Sequence, residues 1–192
     1  MSLTTTAKNT MLNALNIDTA SLHTAFPGLT GANEVSGGSP AYARMAASFA
    51  AAAGGSRALS AAVTFNVPAT TVRWFGFWSS GAFVGYAANG GTQLLYQIDL
   101  TNNRVFSSAH GQANGTKIAF FNGTVPAPLT EGQVYFVVNA ATDTFQVSAT
   151  SGGAAITLTG LPSNSALSTI IEDVYAAQGN HTLSSDSYGL IF

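Results

Sequence analysis

The sequence has 192 residues, a net charge of −2 at neutral pH and a charged fraction of only 7%, against a usual share of about 25%. Six scattered lysines and arginines cannot neutralise a run of phosphates, which argues against nucleic acid as a partner. The absence of cysteine excludes disulfides, thiolate metal sites and cysteine nucleophiles. A hydrophobic fraction of 46% predicts a folded chain, and its weak charge suits packing into a larger assembly.

The N-terminus lacks the basic-then-apolar pattern of a signal peptide. No run of apolar residues approaches the length of about 18 that a membrane helix needs. We therefore expect a protein that is made in a cytoplasm, is soluble there and has no membrane partner.

The first forty residues predict a helix, a strand and a long loop. Residues 4–15 predict a short amphipathic helix with threonines that cap its first turn and an apolar face formed by Ala7, Met11, Leu12 and Leu15. Residues 20–26 alternate as a strand. Gly28 to Pro40 is dense in glycine and polar residues and predicts a surface loop. Loops of this length are usually functional or disordered, so we expect contact with another chain to order it.

The next segments predict short antiparallel strands. Residues 42–49 predict a strand or an extended segment, and residues 63–67 predict an alternating strand that ends at Pro68. The spacing of strands and turns up to residue 88 is typical of an antiparallel sandwich or barrel.

Residues 71–78 hold both tryptophans and, read with a period of two, are apolar on both faces, although Arg73 interrupts one of them. This pattern predicts a central or covered strand, and the following Ser-Ser-Gly predicts a hairpin turn. We expect Trp74 and Trp78 to share one face and to form the centre of the first domain with Phe65 and Val63.

The second half predicts a compact β module followed by a short return segment. Six short strands separated by turn dipeptides such as Asn-Gly are predicted at residues 93–98, 104–106, 117–121, 134–138, 144–147 and 155–158. Residues 169–192 return to strands and are too short for a core of their own, so we expect them to pack with the first domain. The apolar C-terminus, including Phe192, predicts a tail docked in a sheet.

Several of these segments resemble a family of small virion proteins of tailed bacteriophages, described as tail-fibre or capsid-decoration proteins. The long run Asn-Glu-Val-Ser-Gly-Gly-Ser-Pro-Ala-Tyr-Ala-Arg at residues 33–44 makes the likeness fairly specific. The resemblance is carried by residues 7–9, 11–12, 21–24, 27–28, 30–44, 51–55, 65–68 and 76–78.

The resemblance also implies a domain organisation. Shorter members of that family pass almost directly from a hairpin like residues 76–78 to an ending similar to residues 176–183. This implies a discontinuous virion-binding domain of residues 1–91 plus 166–192, with residues 92–165 as an inserted small β module. Parts of the insertion resemble a module that recurs in phage structural proteins, and neither likeness brings catalytic residues.

The histidines and carboxylates do not form a recognisable site. His23, His110 and His181 lie far apart without a second ligand at metal spacing, and His110 is expected to bond the backbone of a turn. Glu172 and Asp173 are neighbours on a strand, point to opposite faces and are expected to form a solvated edge. No serine lies in a nucleophile elbow, which argues against a hydrolase.

Two ligand classes remain as alternatives to a purely structural interpretation. Oxygen ligands for calcium are conceivable among Asp99, Asn102, Asn103 and Asp143, but the run from Asp99 is better interpreted as a turn. Host glycans are conceivable partners if aromatic rings of the inserted module are exposed. The rings considered are Tyr96, Phe120, Phe121 and Tyr135, and the favoured interpretation is that they fill the core of the module.

We therefore predict a mainly β protein: an antiparallel sandwich or barrel-like domain with a short N-terminal helix and an inserted small β domain. The predicted function is that of a non-enzymatic structural protein on the exterior of a tailed-phage particle, with no catalytic, cofactor or metal residues. Because no shaft repeat is visible, capsid decoration is favoured over a tail-fibre or tail-tip accessory role. The expected partners are other virion proteins, either the major capsid protein or tail proteins, and copies of the same chain.

Overall fold

The computed structural model describes residues 3–90 and 93–184 and the backbone of residues 189–191. The chain divides into two compact units, the first formed by Met1–Ala87 with Glu172–Phe192 and the second by Ala88–Ile171. The described residues are mainly β with one short helix, as predicted. All paired strands are antiparallel, and no sheet in the described ranges closes into a barrel.

The elements follow the chain in short segments. They are α1 (Thr5–Ala14), β1 (Thr19–His23), β2 (Met45–Ala46), β3 (Ser56–Ala58), β4 (Val63–Val67), β5 (Thr70–Val72), β6 (Trp74–Ser79), β7 (Ala82–Ala88), β8 (Gln97–Asp99), β9 (Arg104–Phe106), β10 (Lys117–Phe121), β11 (Val134–Val138), β12 (Thr144–Ser148), β13 (Ala166–Thr169), β14 (Asp173–Tyr175), β15 (Gly179–Leu183) and β16 (Gly189–Ile191).

Helix α1 is held at both ends by side chains. The Thr4 hydroxyl accepts a hydrogen bond from the Ala7 N–H at 3.3 Å, which confirms the predicted threonine cap. At the other end the Arg57 guanidinium donates to the carbonyls of Leu12 and Leu15 at 2.7 and 2.9 Å. The predicted apolar face is wrong, because Leu12 is buried whereas Met11 and Leu15 are exposed.

The first unit contains a four-stranded sheet in the order β2-β1-β6-β7 and three two-stranded pairs. Each C-terminal strand pairs with an N-terminal one: β14 with β5, β15 with β4 and β16 with β3. Gly189–Ile191 therefore lies in a sheet, whereas Phe192 is outside the described residues. No helix in the described part of the chain is long and apolar enough to cross a membrane.

Strand β6 is buried on both faces, as the continuous apolar run predicted. It is preceded by a break at Arg73 and followed by a tight turn in which Ser80 and Gly81 have φ angles of 48° and 82°. Two successive positive φ values are typical of the two-residue turn that joins antiparallel strands. The predicted hairpin is therefore present between β6 and β7.

The partners of the tryptophans differ from the prediction. Trp74 and Trp78 are both buried and share a face, but the core around Phe65 and Val63 packs against Phe75 and Phe77 on the opposite face. The tryptophan face instead receives the ring of Phe26, which lies 5.1 Å from Trp74, and other side chains described below. The first unit therefore has apolar packing on both sides of β6.

The second unit contains one six-stranded sheet in the order β13-β10-β11-β12-β9-β8. Its core is formed by the inward side chains of these strands, including Val105, Phe120, Val137 and Phe145. Residues 155–158 form no strand, although Leu158 is buried in this core. The sixth strand is β13, which was predicted to belong to the first domain. Because β13 pairs with β10, the second unit ends at Ile171, six residues beyond 165.

Candidate functional site

Ser21 and His23 form a buried polar pair beneath the tryptophan face of the first unit. The register of β1 and β6 places Ser21 opposite Gly76 and His23 opposite Trp74. The His23 Nδ1–H donates to the Ala32 carbonyl at 2.7 Å, so Nε2 accepts the Ser21 hydroxyl proton at 2.8 Å. Ser21 Oγ in turn accepts the indole N–H of Trp78 at 2.7 Å. We call this chain of hydrogen bonds the Ser21–His23–Trp78 network.

This network has the partners of a serine nucleophile but not its environment. Ser21 and His23 are both fully buried, so no substrate can reach the hydroxyl. Burial lowers the pKa of His23, while its bond to the Ala32 carbonyl opposes that shift. A neutral imidazole that bridges a serine and a carbonyl joins β1 to the following loop.

Sequence reasoning missed this pair. The signal was present, because residues 21 and 23 are two apart on a predicted strand and must share a face. The sequence does not reveal the contact with Trp78, because that residue is 57 positions away from Ser21 in the chain.

Gly76 leaves the space that the network occupies. A Cβ atom at this position would collide with Ser21 Oγ, His23 Nε2 and the Phe83 ring. The glycine in the middle of the aromatic strand therefore allows two polar side chains to approach the backbone closely.

An ion pair covers the outer side of the same region. The Arg44 guanidinium lies 3.2 Å from the centroid of the Trp78 ring and makes a bidentate pair with Glu34, its shortest contact being 2.8 Å. Tyr42 accepts the Leu22 N–H at 2.8 Å and donates to Glu34, and burial raises its pKa. These contacts fix residues 34–44 on the first unit.

The Gly28 to Pro40 loop is mostly exposed but makes several contacts with the first unit. Val35 is buried and its N–H bonds the Leu22 carbonyl at 2.9 Å, while Gln178 bonds the backbone of Ser39 and Pro40. Its tip presents Leu29, whose side chain is 89% exposed. The expectation that another chain orders this loop stays a prediction, and the exposed tip is available for such a contact.

The other histidines have separate structural partners. His110 Nδ1 accepts the Gln112 N–H at 2.9 Å, which confirms the predicted bond to a turn. His181 lies 3.1 Å from the Tyr175 hydroxyl and 3.6 Å from an Asp173 oxygen, and burial lowers its pKa. No cluster of three possible metal ligands is present among the residues that the structure describes.

The carboxylates are also used separately. Glu172 is not a solvated edge residue: its Oε1 accepts the Arg73 Nε–H at 2.8 Å, and its side chain is mostly buried. Asp99 accepts both the backbone and side-chain N–H groups of Asn102, which confirms the predicted turn. Asp143 instead accepts the Ala109 N–H at 2.7 Å.

The four aromatic rings considered as a glycan platform do not form one. Phe120, Phe121 and Tyr135 are buried, and Tyr96 packs partly against the same core with its hydroxyl bonded to Ser165. Burial raises the pKa of Tyr96 to about 12. Three of the four rings are buried, which confirms the favoured interpretation that they belong to the interior of the module and not to an exposed platform.

Comparison with known proteins assigns the chain to a class. The family described as Podophage GP4 fiber I protein gp80 matches residues 2–113, which is more than half of the chain. The match covers the N-terminal part of the first unit and continues through β8 and β9 of the second. The protein is thus a phage structural protein of fibre type, and it belongs to the Podophage GP4 fiber I protein gp80 family. No curated protein and no solved structure matches the chain.

Proposed function

We propose that this chain is a non-enzymatic accessory component of a fibre on the exterior of a phage particle. The observation that carries the proposal is the family match over residues 2–113, whose description names a fibre protein. The sequence has no heptad, collagen or stacked β repeat from which a shaft is built. The chain would therefore supply a globular part of the fibre, at its attachment point or its tip, instead of the shaft itself.

The buried state of the Ser21–His23–Trp78 network supports the non-enzymatic part of the proposal. A hydrolase needs its serine at the surface, whereas both polar side chains here are fully buried. The hydrogen bond from His23 to the Ala32 carbonyl stabilises the loop that carries Ala32. The side chains of Ser21 and His23 fill the space beside Gly76 and leave no room there for a reacting atom.

Capsid decoration is the second candidate. The low charged fraction of 7% gives little colloidal repulsion and suits a chain that lies permanently against a large protein surface. The exposed loop tip at Leu29 offers an apolar contact for a capsomer or for another copy of the chain.

The two placements are separated by labelling purified particles. We expect an antibody against this chain, detected with gold in electron micrographs, to mark the tail fibres, and quantitative mass spectrometry to find a copy number that matches the fibres. Gold spread over the head at a copy number close to that of the capsomers would contradict the fibre placement and support decoration. Absence of the chain from purified particles would contradict both.

A further inference from the structure

One face of the second unit carries polar side chains around an exposed phenyl ring. Residues directly opposite each other on neighbouring strands share a face, and the register pairs Phe106 with both Gln97 and Thr144, and Asp99 with Arg104. Together with Ile98 and Asn102, these five residues line an open groove of about 470 Å³. Val105 and Phe145 alternate to the opposite face and are buried in the core.

The polar side chains of this groove have unused hydrogen-bonding capacity. In the described part of the chain, neither the Gln97 amide nor the Thr144 hydroxyl makes a side-chain hydrogen bond. Asp99 and Arg104 are cross-strand neighbours but form no ion pair with each other, and the Arg104 guanidinium makes one bond, to the Asn139 carbonyl at 3.1 Å. Hydrogen bonds from Asn102 lower the pKa of Asp99, which keeps its carboxylate ionised as an acceptor.

Phe106 is the apolar centre of the groove. It lies on β9, between β8 and β12, and its side chain is 42% exposed. Most large aromatic side chains of this unit are buried, so packing of the core does not account for a phenyl ring on the outer face. An aromatic ring beside convergent polar groups is the usual composition of a small-molecule site.

We propose that this groove, lined by Gln97, Asp99, Asn102, Arg104, Phe106 and Thr144, binds a saccharide. The C–H face of a pyranose ring would stack on Phe106. Its hydroxyl groups would donate to the Asp99 carboxylate and accept from the Gln97 amide and the Arg104 guanidinium. The volume fits a ligand of one or a few rings. A polyphosphate fits less well, because Asp99 cancels the single positive charge of the lining.

This proposal is independent of where the chain sits on the particle, so its test uses the isolated full chain. Backbone amide NMR spectra would be recorded with methyl glycosides of glucose, galactose, mannose and rhamnose, and with N-acetylglucosamine. A concentration of about 50 mM is sufficient to populate a millimolar site. We expect at least one of these sugars to give saturable shifts at Gln97, Asp99 and Thr144.

Variants locate the binding site. Phe106→Ala and Gln97→Ala should each weaken the binding of that sugar, the former by about fivefold or more because the stacking contact is lost. Phe106→Tyr should retain binding. Leu161→Ala is the matched control, since Leu161 is 62% exposed in the same unit but does not line the groove. Absence of saturable shifts with every sugar, shifts confined to other residues, or equal affinity in Phe106→Ala and wild type would overturn the proposal.

Discussion

The main sheets of the two units differ in how many of their faces are buried. In the first unit β6 is buried on both faces, one against the core around Phe65 and the other beneath the segment that carries Glu34 and Arg44. In the second unit β9 and its neighbours β8 and β12 bury one face and leave the other open. The covered face holds hydrogen bonds within the protein, whereas the open face carries the polar groups of the proposed saccharide site.

The sequence predicts this contrast only in part. The continuous apolar run of β6 correctly predicted burial on both sides, because alternate side chains point to opposite faces and residues 74–78 carry no hydrophilic side chain. The same rule places Ser21 and His23 together. It does not reveal which segment covers them, since the contact of Arg44 with Trp78 depends on how a long loop folds back.

In the second unit the sequence predicted most of the strands but not how the edge strand pairs. Its turn dipeptides located five strands, but residues 155–158 contribute side chains to the core without forming a strand, and β13 takes the predicted sixth place. Edge pairing depends on contacts distant in sequence, such as that of β13 with β10. The outward position of Phe106 likewise depends on the register of β9, which a three-residue strand does not specify by pattern alone.

The largest expected effect is the loss of stability when an indole is removed from the tryptophan face of β6. Trp74→Ala should lower the free energy of unfolding by about 3–5 kcal/mol, because a fully buried indole is removed. Phe145→Ala in the second unit should cost a similar amount for the same reason. Urea unfolding followed by circular dichroism measures both, and a midpoint for Trp74→Ala equal to that of wild type would refute the covered-face assignment.

A methyl group at Gly76 should break the Ser21–His23–Trp78 network. Gly76→Ala should cost about 1–3 kcal/mol, because its Cβ collides with Ser21 and His23. Gly85→Ala is the matched control, since a Cβ there meets no heavy atom within 4 Å. Equal melting temperatures of the two variants would show that the face is less tightly packed than described.

The first unit should lose stability as the pH falls below neutrality. Burial lowers the folded-state pKa of His23 and His181 below the ordinary value of a histidine, about 6.5, so the unfolded chain binds more protons in that window. The free energy of unfolding should therefore decrease from about pH 6.5 downwards, by at most about 1.4 kcal/mol per pH unit and histidine. His181→Gln should reduce the slope, and an unchanged slope in this variant would contradict the assignment for His181.

The smallest effects concern one arginine in each unit, Arg44 above Trp78 and Arg104 in the groove. Arg44→Ala should cost about 1 kcal/mol, because both Arg44 and Glu34 retain some solvent exposure and salt screens them. Arg104→Ala, which removes one hydrogen bond in the second unit, should have a smaller effect. Thermal unfolding of both variants is measured at low and at high salt. The loss of stability caused by Arg44→Ala should diminish at high salt, because salt screens its ion pair with Glu34. A larger loss of stability for Arg104→Ala than for Arg44→Ala would contradict the expectation that Arg44 contributes more to stability.

The most direct test of the proposed function is an electron cryomicroscopy map of the intact particle. The account predicts density outside the particle, on a fibre, into which the first unit fits with the β2-β1-β6-β7 sheet and its covering loop. It also predicts that the groove around Phe106 faces solvent and not another virion protein. A map that places the chain inside the capsid, or that finds no copy of it on the particle, would contradict the account.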